Sequence, residues 1–171
     1  MGNCVIAKPS ELTPRTATVL AHVLHRAGFP DGVFNVVHGL GPDAGAPLVE
    51  HPGVQAVSFT GGTVTGRRVA ATAAPMFKKL SLELGGKNPT IVLDEVDMEK
   101  AVAGAVRSAF TNNGQVCLAG SRILVQKGVA KEFTDRLVER VRGLRVGDPL
   151  DPATNVGPVS SKVHYDKVRL V

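Results

Sequence analysis

Cys117 lies in Gly114-Gln115-Val116-Cys117-Leu118-Ala119-Gly120, a glycine-bounded stretch that follows a helix stop. A thiolate in such a loop is a nucleophile, although most free cysteines are small core residues. Glu83 stands in Leu82-Glu83-Leu84-Gly85-Gly86, an acid within an apolar stretch. Two roles stay open for it: a structural ion pair, or general-base work with its protonation tuned by apolar surroundings. Lys8 and Glu11, in Lys8-Pro9-Ser10-Glu11, follow the first strand-like run. The carboxyl end of a strand is where open α/β sheets bind ligands, so both could meet ribose hydroxyls or phosphate; the alternative is a solvated loop with a first-turn acid on a helix dipole.

Two glycine turns add to the list. Gly39-x-Gly41-x-x-x-Gly45 lies between a strand and a helix, where backbone N–H groups can approach a phosphate, but it is one residue longer than the usual dinucleotide fingerprint. Gly61-Gly62-Thr63-Val64-Thr65-Gly66 has phosphate-loop spacing, yet Arg67-Arg68 replaces the Lys and Ser/Thr that would hold phosphate and magnesium. The pair favours some nucleotide ligand over a nucleoside triphosphatase. His22 and His25 are three apart on a helix with no third ligand nearby in sequence, so no metal site is expected.

The elements that must position these residues alternate between strand and helix. Cys4–Ala7 reads as a buried strand. Thr13 with Pro14 opens a helix whose apolar face is Val19, Leu20, Val23, Leu24 and Ala27. Val33–Val37 and Ala56–Phe59 read as strands, followed by helices from about residues 43 and 64. Leu80–Leu84, Thr90–Leu93 and Ile123–Val125 are further strands. Met98 to Phe110 forms a helical stripe that Asn112-Asn113-Gly114 stops. Val129 to Val141 forms an amphipathic helix, with Glu132 four residues before Arg136 on its wet face. A last helix starts near Ser160. The rhythm predicts an α/β fold with a parallel sheet covered by helices, and Gly85-Gly86 is the natural domain boundary. Both ends of the sequence read as cut from something longer.

Composition narrows the function classes. Of 171 residues, 43% are apolar and 20% charged, which excludes disorder. The net charge of +5 is spread: residues 1–85 carry 7 basic and 5 acidic groups, residues 86–171 carry 13 and 10. With only 4% aromatic residues and no basic block, no nucleic-acid partner is expected. No apolar run approaches the ~20 residues of a membrane helix, so no membrane partner is expected either. Two cysteines make no disulfide framework, which points to a reducing, cytoplasmic setting.

Taken together, the motifs resemble those of one family, the NAD(P)-dependent aldehyde dehydrogenases. Lys8-Pro9-Ser10-Glu11, Phe59-Thr60-Gly61-Gly62-Thr63, Leu82-Glu83-Leu84-Gly85-Gly86-Lys87-Asn88-Pro89 and Gly114-Gln115-Val116-Cys117 stand in that family's order, with its separation of 34 residues from Glu83 to Cys117. The stretch Ser81 to Pro89 and the Leu after Cys117 look most like the muconic-semialdehyde branch. The resemblance covers the whole chain but only the middle third of a complete family subunit. It implies a partial Rossmann-like parallel sheet in residues 1–84, a partial NAD-binding domain, continuing into a partial α/β catalytic domain in residues 85–171 that bears the nucleophile.

The resemblance also implies roles. Lys8 and Glu11 would hold the adenosine ribose, Gly41 would line the adenine side, and Phe59, Thr60, Gly61 and Gly62 would line the pyrophosphate and nicotinamide approach. Gly62 stands where many relatives have Ser. A carboxylate at position 11 accepts from a free 2′-hydroxyl and repels a 2′-phosphate, so NAD is expected over NADP. Cys117 would add to a small-molecule aldehyde, hydride would leave for the nicotinamide, and Glu83 would deprotonate the water that hydrolyses the thioester. The Cys117 backbone N–H would serve the oxyanion, and the family's second donor, an Asn side chain, belongs to sequence before the first strand. Complete family subunits are homo-oligomeric. The rival reading is a non-catalytic nucleotide-binding module or an inactive truncated one; a CoA-acylating relative would lack the Glu83 base.

Overall fold

Short apolar runs punctuated by glycine and proline leave room only for short strands. In the computed structural model, which describes residues 2–170, six of them form, none longer than six residues. The chain divides into two compact units between Glu83 and Leu84, each treated by itself.

In the first unit β1 (Val5–Ala7) and β2 (Phe34–Val36) pair in parallel, with Ile6 opposite Asn35. A parallel pair needs a crossover, supplied here by α1 (Arg15–Arg26). Thr13 does not cap α1. Pro14, at φ −79° and ψ −20°, takes the cap position, with no side-chain bond. The expected apolar face of α1 is likewise displaced. Ala17, Thr18, Ala21 and Leu24 are its half-buried residues, whereas Val19, Leu20 and Val23 are exposed. Cys4 precedes β1 and is exposed, and Val5 and Ile6, on opposite faces of the strand, are both about half exposed, so the strand expected to be buried is open on both faces.

After β2 a π-helical turn (Gly41–Gly45) runs into α2 (Ala46–Glu50). Then β3 (Ala56–Gly61), α3 (Thr63–Ala73) and β4 (Lys79–Leu84) follow, with β3 bonded to β4. Gly66, Val69 and Ala73 are the buried residues of α3. The chain turns from α3 to β4 through Phe77, an aromatic residue at φ +54° with its ring almost wholly in solvent. That conformation costs a non-glycine residue about 1–3 kcal/mol. Beside it Lys78 is buried, and its ammonium donates to Val49 O and to His51 O at 2.7 Å. Among the described residues no carboxylate pairs with Lys78. Its charge instead meets carbonyls at the C-terminal end of α2, where a cation is favoured.

In the second unit β5 (Pro89–Val92) and β6 (Arg122–Val125) pair in parallel, Thr90 opposite Ile123 and Val92 opposite Val125. The crossover is α4 (Met98–Phe110), capped by the Asp97 carboxylate, which accepts from Lys100 N–H at 3.1 Å. α5 (Ala130–Arg142) packs beside it, and Glu132 and Arg136 pair on its outer face at 2.6 Å as their spacing predicts. Val92, Val102, Ala105 and Phe133 form the core, ringed by Val96, Met98, Ala101, Ile123, Val125 and Leu137. The opposite face of the strand pair carries Ile91, Leu93 and Leu124, all more than half exposed. The unit ends with α6 (Lys162–Val168), capped by Ser161 Oγ.

The α/β class with parallel pairing is therefore present, but its strands form three separate two-stranded pairs among the described residues. Asn112, Asn113 and Gly114 stop α4 by adopting left-handed φ values of 50°, 58° and 72° in succession.

Candidate active site

The first unit gathers two of its expected site groups around the turn after β2. Parallel pairing of β1 with β2 puts the residues that follow both strands at one sheet edge. There the Lys8 ammonium donates to Gly39 O at 3.0 Å and to Pro9 O at 2.7 Å, with Glu11 Oε2 at 4.0 Å. The Lys8 stem runs past Gly45, whose Cβ position lies 3.4 Å from Lys8 Cδ. Lys8 is thus mostly covered and Glu11 half exposed, an arrangement that leaves the Glu11 carboxylate partly in solvent beside the Lys8 ammonium.

The second glycine turn is built differently. Gly61 lies under the Phe59 ring, and a Cβ there would stand 2.6 Å from Phe59 Cζ, so a side chain at position 61 would require the ring to move. Gly62 is the N-cap of α3 and no side chain bonds the first-turn N–H groups of that helix. A helix start with unpaired donors and open space is a fit for an anionic group. Thr60 and Gly62 are exposed at the end of β3.

Glu83 is exposed and forms no ion pair among the described residues. The structural pair open to it in the sequence is therefore not formed, nor is it enclosed by its apolar neighbours. Strand alternation explains this: Leu80, Leu82 and Leu84 take one face of β4, and Lys79, Ser81 and Glu83 take the other.

In the second unit Cys117 is exposed in a turn closed by Ala119 N–H donating to Val116 O at 3.0 Å. Its own N–H meets no acceptor among the described residues, while its carbonyl accepts from the Asn88 side-chain amide at 2.7 Å. The same amide reaches Ala119 O at 3.4 Å. Downstream, Gly120 N–H donates to Ser108, and the glycine packs so tightly on Thr90 and Ser108 that a side chain would collide with both hydroxyls. Upstream, Asn113 donates to Gly157 O at 2.9 Å and Pro158 O at 2.7 Å, and Gln115 Oε1 accepts from Ser160 N–H at 3.1 Å. The loop is fixed on three sides while the thiol stays open.

Asn88, Asn113 and Lys78 were not foreseen in these roles. Asn113 was visible as part of a helix stop and Asn88 as part of a motif, but their acceptors lie 29 to 45 positions away in the chain. Among the described residues there is no metal-binding cluster of His, Cys, Asp and Glu, and no helix long and apolar enough to cross a membrane.

An exposed, anchored cysteine turn in one α/β unit and glycine turns at strand ends in the other fit an enzyme with a thiol nucleophile and a nucleotide ligand, and the comparisons give the family. The chain belongs to the aldehyde dehydrogenase family, which it matches over residues 1–171. It is 50% identical over 168 residues to the 2-aminomuconic semialdehyde dehydrogenase of Homo sapiens, and 49% identical to a betaine aldehyde dehydrogenase of Mesorhizobium japonicum. Each alignment takes in 98% of this chain and 34% of the relative, so the chain spans about a third of the length of the curated relatives it matches. Among solved structures, HpcC from Thermus thermophilus superposes with a TM-score of 0.94 at 47% identity, covering 98% of this chain and 32% of that one. Betaine aldehyde dehydrogenase from Staphylococcus aureus, solved in complex with NAD+, gives 0.94 at 40% identity, covering 98% and 33%. The relatives include the muconic-semialdehyde enzymes that the motifs around Glu83 and Cys117 resemble.

Proposed function

We propose that this chain supplies the nucleophile, the base and part of the cofactor site of an NAD-dependent aldehyde dehydrogenase, which oxidises an aldehyde, a semialdehyde by its resemblance to the muconic-semialdehyde branch, to a carboxylic acid. Residues 1–84 contribute part of the nucleotide-binding domain and residues 85–171 part of the catalytic domain. The observation that carries this reading is the turn around Cys117. It presents an exposed thiol next to its own unengaged N–H, with the rest of the turn held by side chains.

The residue types account for the chemistry step by step. The Cys117 thiolate adds to the aldehyde carbon, and the carbonyl oxygen becomes an oxyanion within reach of the Cys117 N–H. Bound NAD supplies the acceptor for the hydride that must leave that carbon. A thioester on Cys117 remains. Glu83, open to solvent, takes a proton from water, whose oxygen attacks the acyl carbon and releases the carboxylic acid and the Cys117 thiolate. Lys8, Glu11 and Gly41 hold the adenosine end, and Phe59, Thr60, Gly61 and Gly62 the pyrophosphate and nicotinamide approach. The uncapped start of α3 and the half-exposed Glu11 carboxylate support that assignment and favour NAD over NADP.

Calorimetric titration of the 171-residue chain with NAD and then NADP tests the cofactor half. Saturable binding that is weaker for NADP is expected; folded protein that binds neither sinks it. For the catalytic half, Cys117→Ala should abolish aldehyde-dependent NADH formation and spare NAD binding. Cys4 and Cys117 are both exposed, so accessibility alone does not separate their alkylation rates. Faster alkylation of Cys117 is expected, and equal rates would remove its claim to activation.

A further inference from the structure

We propose that Lys78 is a positioning residue for the nucleotide site: it holds one end of the segment 39–51 while Lys8 holds the other, and so sets where Gly41 stands. The proposal rests on the reading that Lys8 and Gly41 serve NAD.

The segment consists of the π-helical turn Gly41–Gly45 and the short helix Ala46–Glu50, an arrangement too brief to fix its own position. At its start the Lys8 ammonium donates to Gly39 O at 3.0 Å. At its finish the Lys78 ammonium donates to Val49 O and to His51 O at 2.7 Å. His51 O also accepts from Val54 N–H at 3.0 Å, which ties the exit of the segment to the approach to β3.

Lys78 is itself held by its surroundings. It is buried, unlike the exposed Phe77 and Lys79 on either side, and the left-handed turn at Phe77 brings its N–H to Ala73 O at 3.3 Å. Lys79 N–H donates to Gln55 O at 2.9 Å, so the backbone carrying Lys78 is bonded to the strand that the segment leads into. A lysine whose role was solubility would keep its ammonium in water. This one spends it on two carbonyls that end a helix next to a proposed cofactor turn. Lys78 touches no cofactor in this scheme and acts through the position of residues 41–45.

Lys78→Met keeps the stem and removes the donor; Lys78→Arg keeps charge and donors. Three readouts are compared with the unaltered chain: calorimetric dissociation constants for NAD and for AMP, amide exchange across residues 41–51, and alkylation of Cys117. Lys78→Met should weaken NAD and AMP alike by about tenfold, one decade on the affinity scale, because the segment serves the adenosine half. Exchange should quicken within 41–51, Lys78→Arg should recover much of both, and the Cys117 rate should not move. Unchanged NAD and AMP affinity in folded Lys78→Met overturns the proposal. Unchanged exchange in 41–51 overturns the clamp, whatever the affinities. If the unaltered, folded chain binds neither ligand, the nucleotide role of Lys78 falls with the reading beneath it, and the exchange data still decide the clamp separately. Should Lys78→Met not fold, Lys78→Leu, which also lacks the donor, is judged by the same criteria.

Discussion

The Asn88 side-chain amide donates to the main-chain carbonyl of Cys117 at 2.7 Å, across 29 positions of sequence. One residue before β5 thus governs the peptide plane that follows the proposed nucleophile. Asn88→Ala removes this bond and the longer one to Ala119 O, at a cost of about 1 kcal/mol in stability. The turn should loosen with it, seen as faster amide exchange at Ala119, whose N–H closes the turn on Val116 O. Full protection at Ala119 in the variant would show that the turn does not depend on Asn88.

Glu83→Gln separates the two chemical steps of the proposed reaction. The amide cannot take a proton from water, so one round of NADH formation should be followed by a steady-state rate lower by about 10²–10⁴-fold. Mass spectrometry should find the acyl group on Cys117. An unaltered steady-state rate takes Glu83 out of the mechanism.

Asp97 gives α4 a pH dependence. The Lys100 backbone N–H, and then the Lys100 side chain, hold the Asp97 carboxyl below its ordinary 3.8. A depressed value in the folded state means that the stabilisation is present above the unfolded value and lost as pH falls through the folded one. Thermal stability should therefore drop as pH falls below about 4, and Asp97→Asn, which keeps an acceptor but no charge, should lessen that drop. Identical acid limbs in melting curves of both proteins would remove Asp97 from the effect.

Phe133 is 1% exposed and the only large side chain wholly buried among the described residues. Phe133→Ala should cost about 3–5 kcal/mol, a large share of the total stability of a domain. Urea titration should show the lower midpoint. A change below about 1 kcal/mol would mean the core of the second unit collapses around the gap.

Much of this was legible from local pattern. Periodicity placed all six strands within two residues, the start of α3, and α4 and α5 nearly to their ends, because side-chain period and turn residues act over a few positions. The Asn112-Asn113-Gly114 stop and the Glu132–Arg136 pair were readable for the same reason. The motif resemblance gave the family, which the comparisons bear out.

Burial and long-range bonding were not readable in this way. The exposure of Cys4 and the shifted face of α1 depend on which neighbours pack against them, and that is a property of the assembled unit. Glu83 sits in an apolar run, but the alternation of β4 turns it away from the leucines. In sequence Lys78 is one of two adjacent lysines, and only the fold brings Val49 O and His51 O to its ammonium. Residue type and spacing fix what each short segment prefers; which carbonyl a distant lysine or asparagine reaches is decided only when the chain closes, since no local interaction encodes a contact made over some thirty residues.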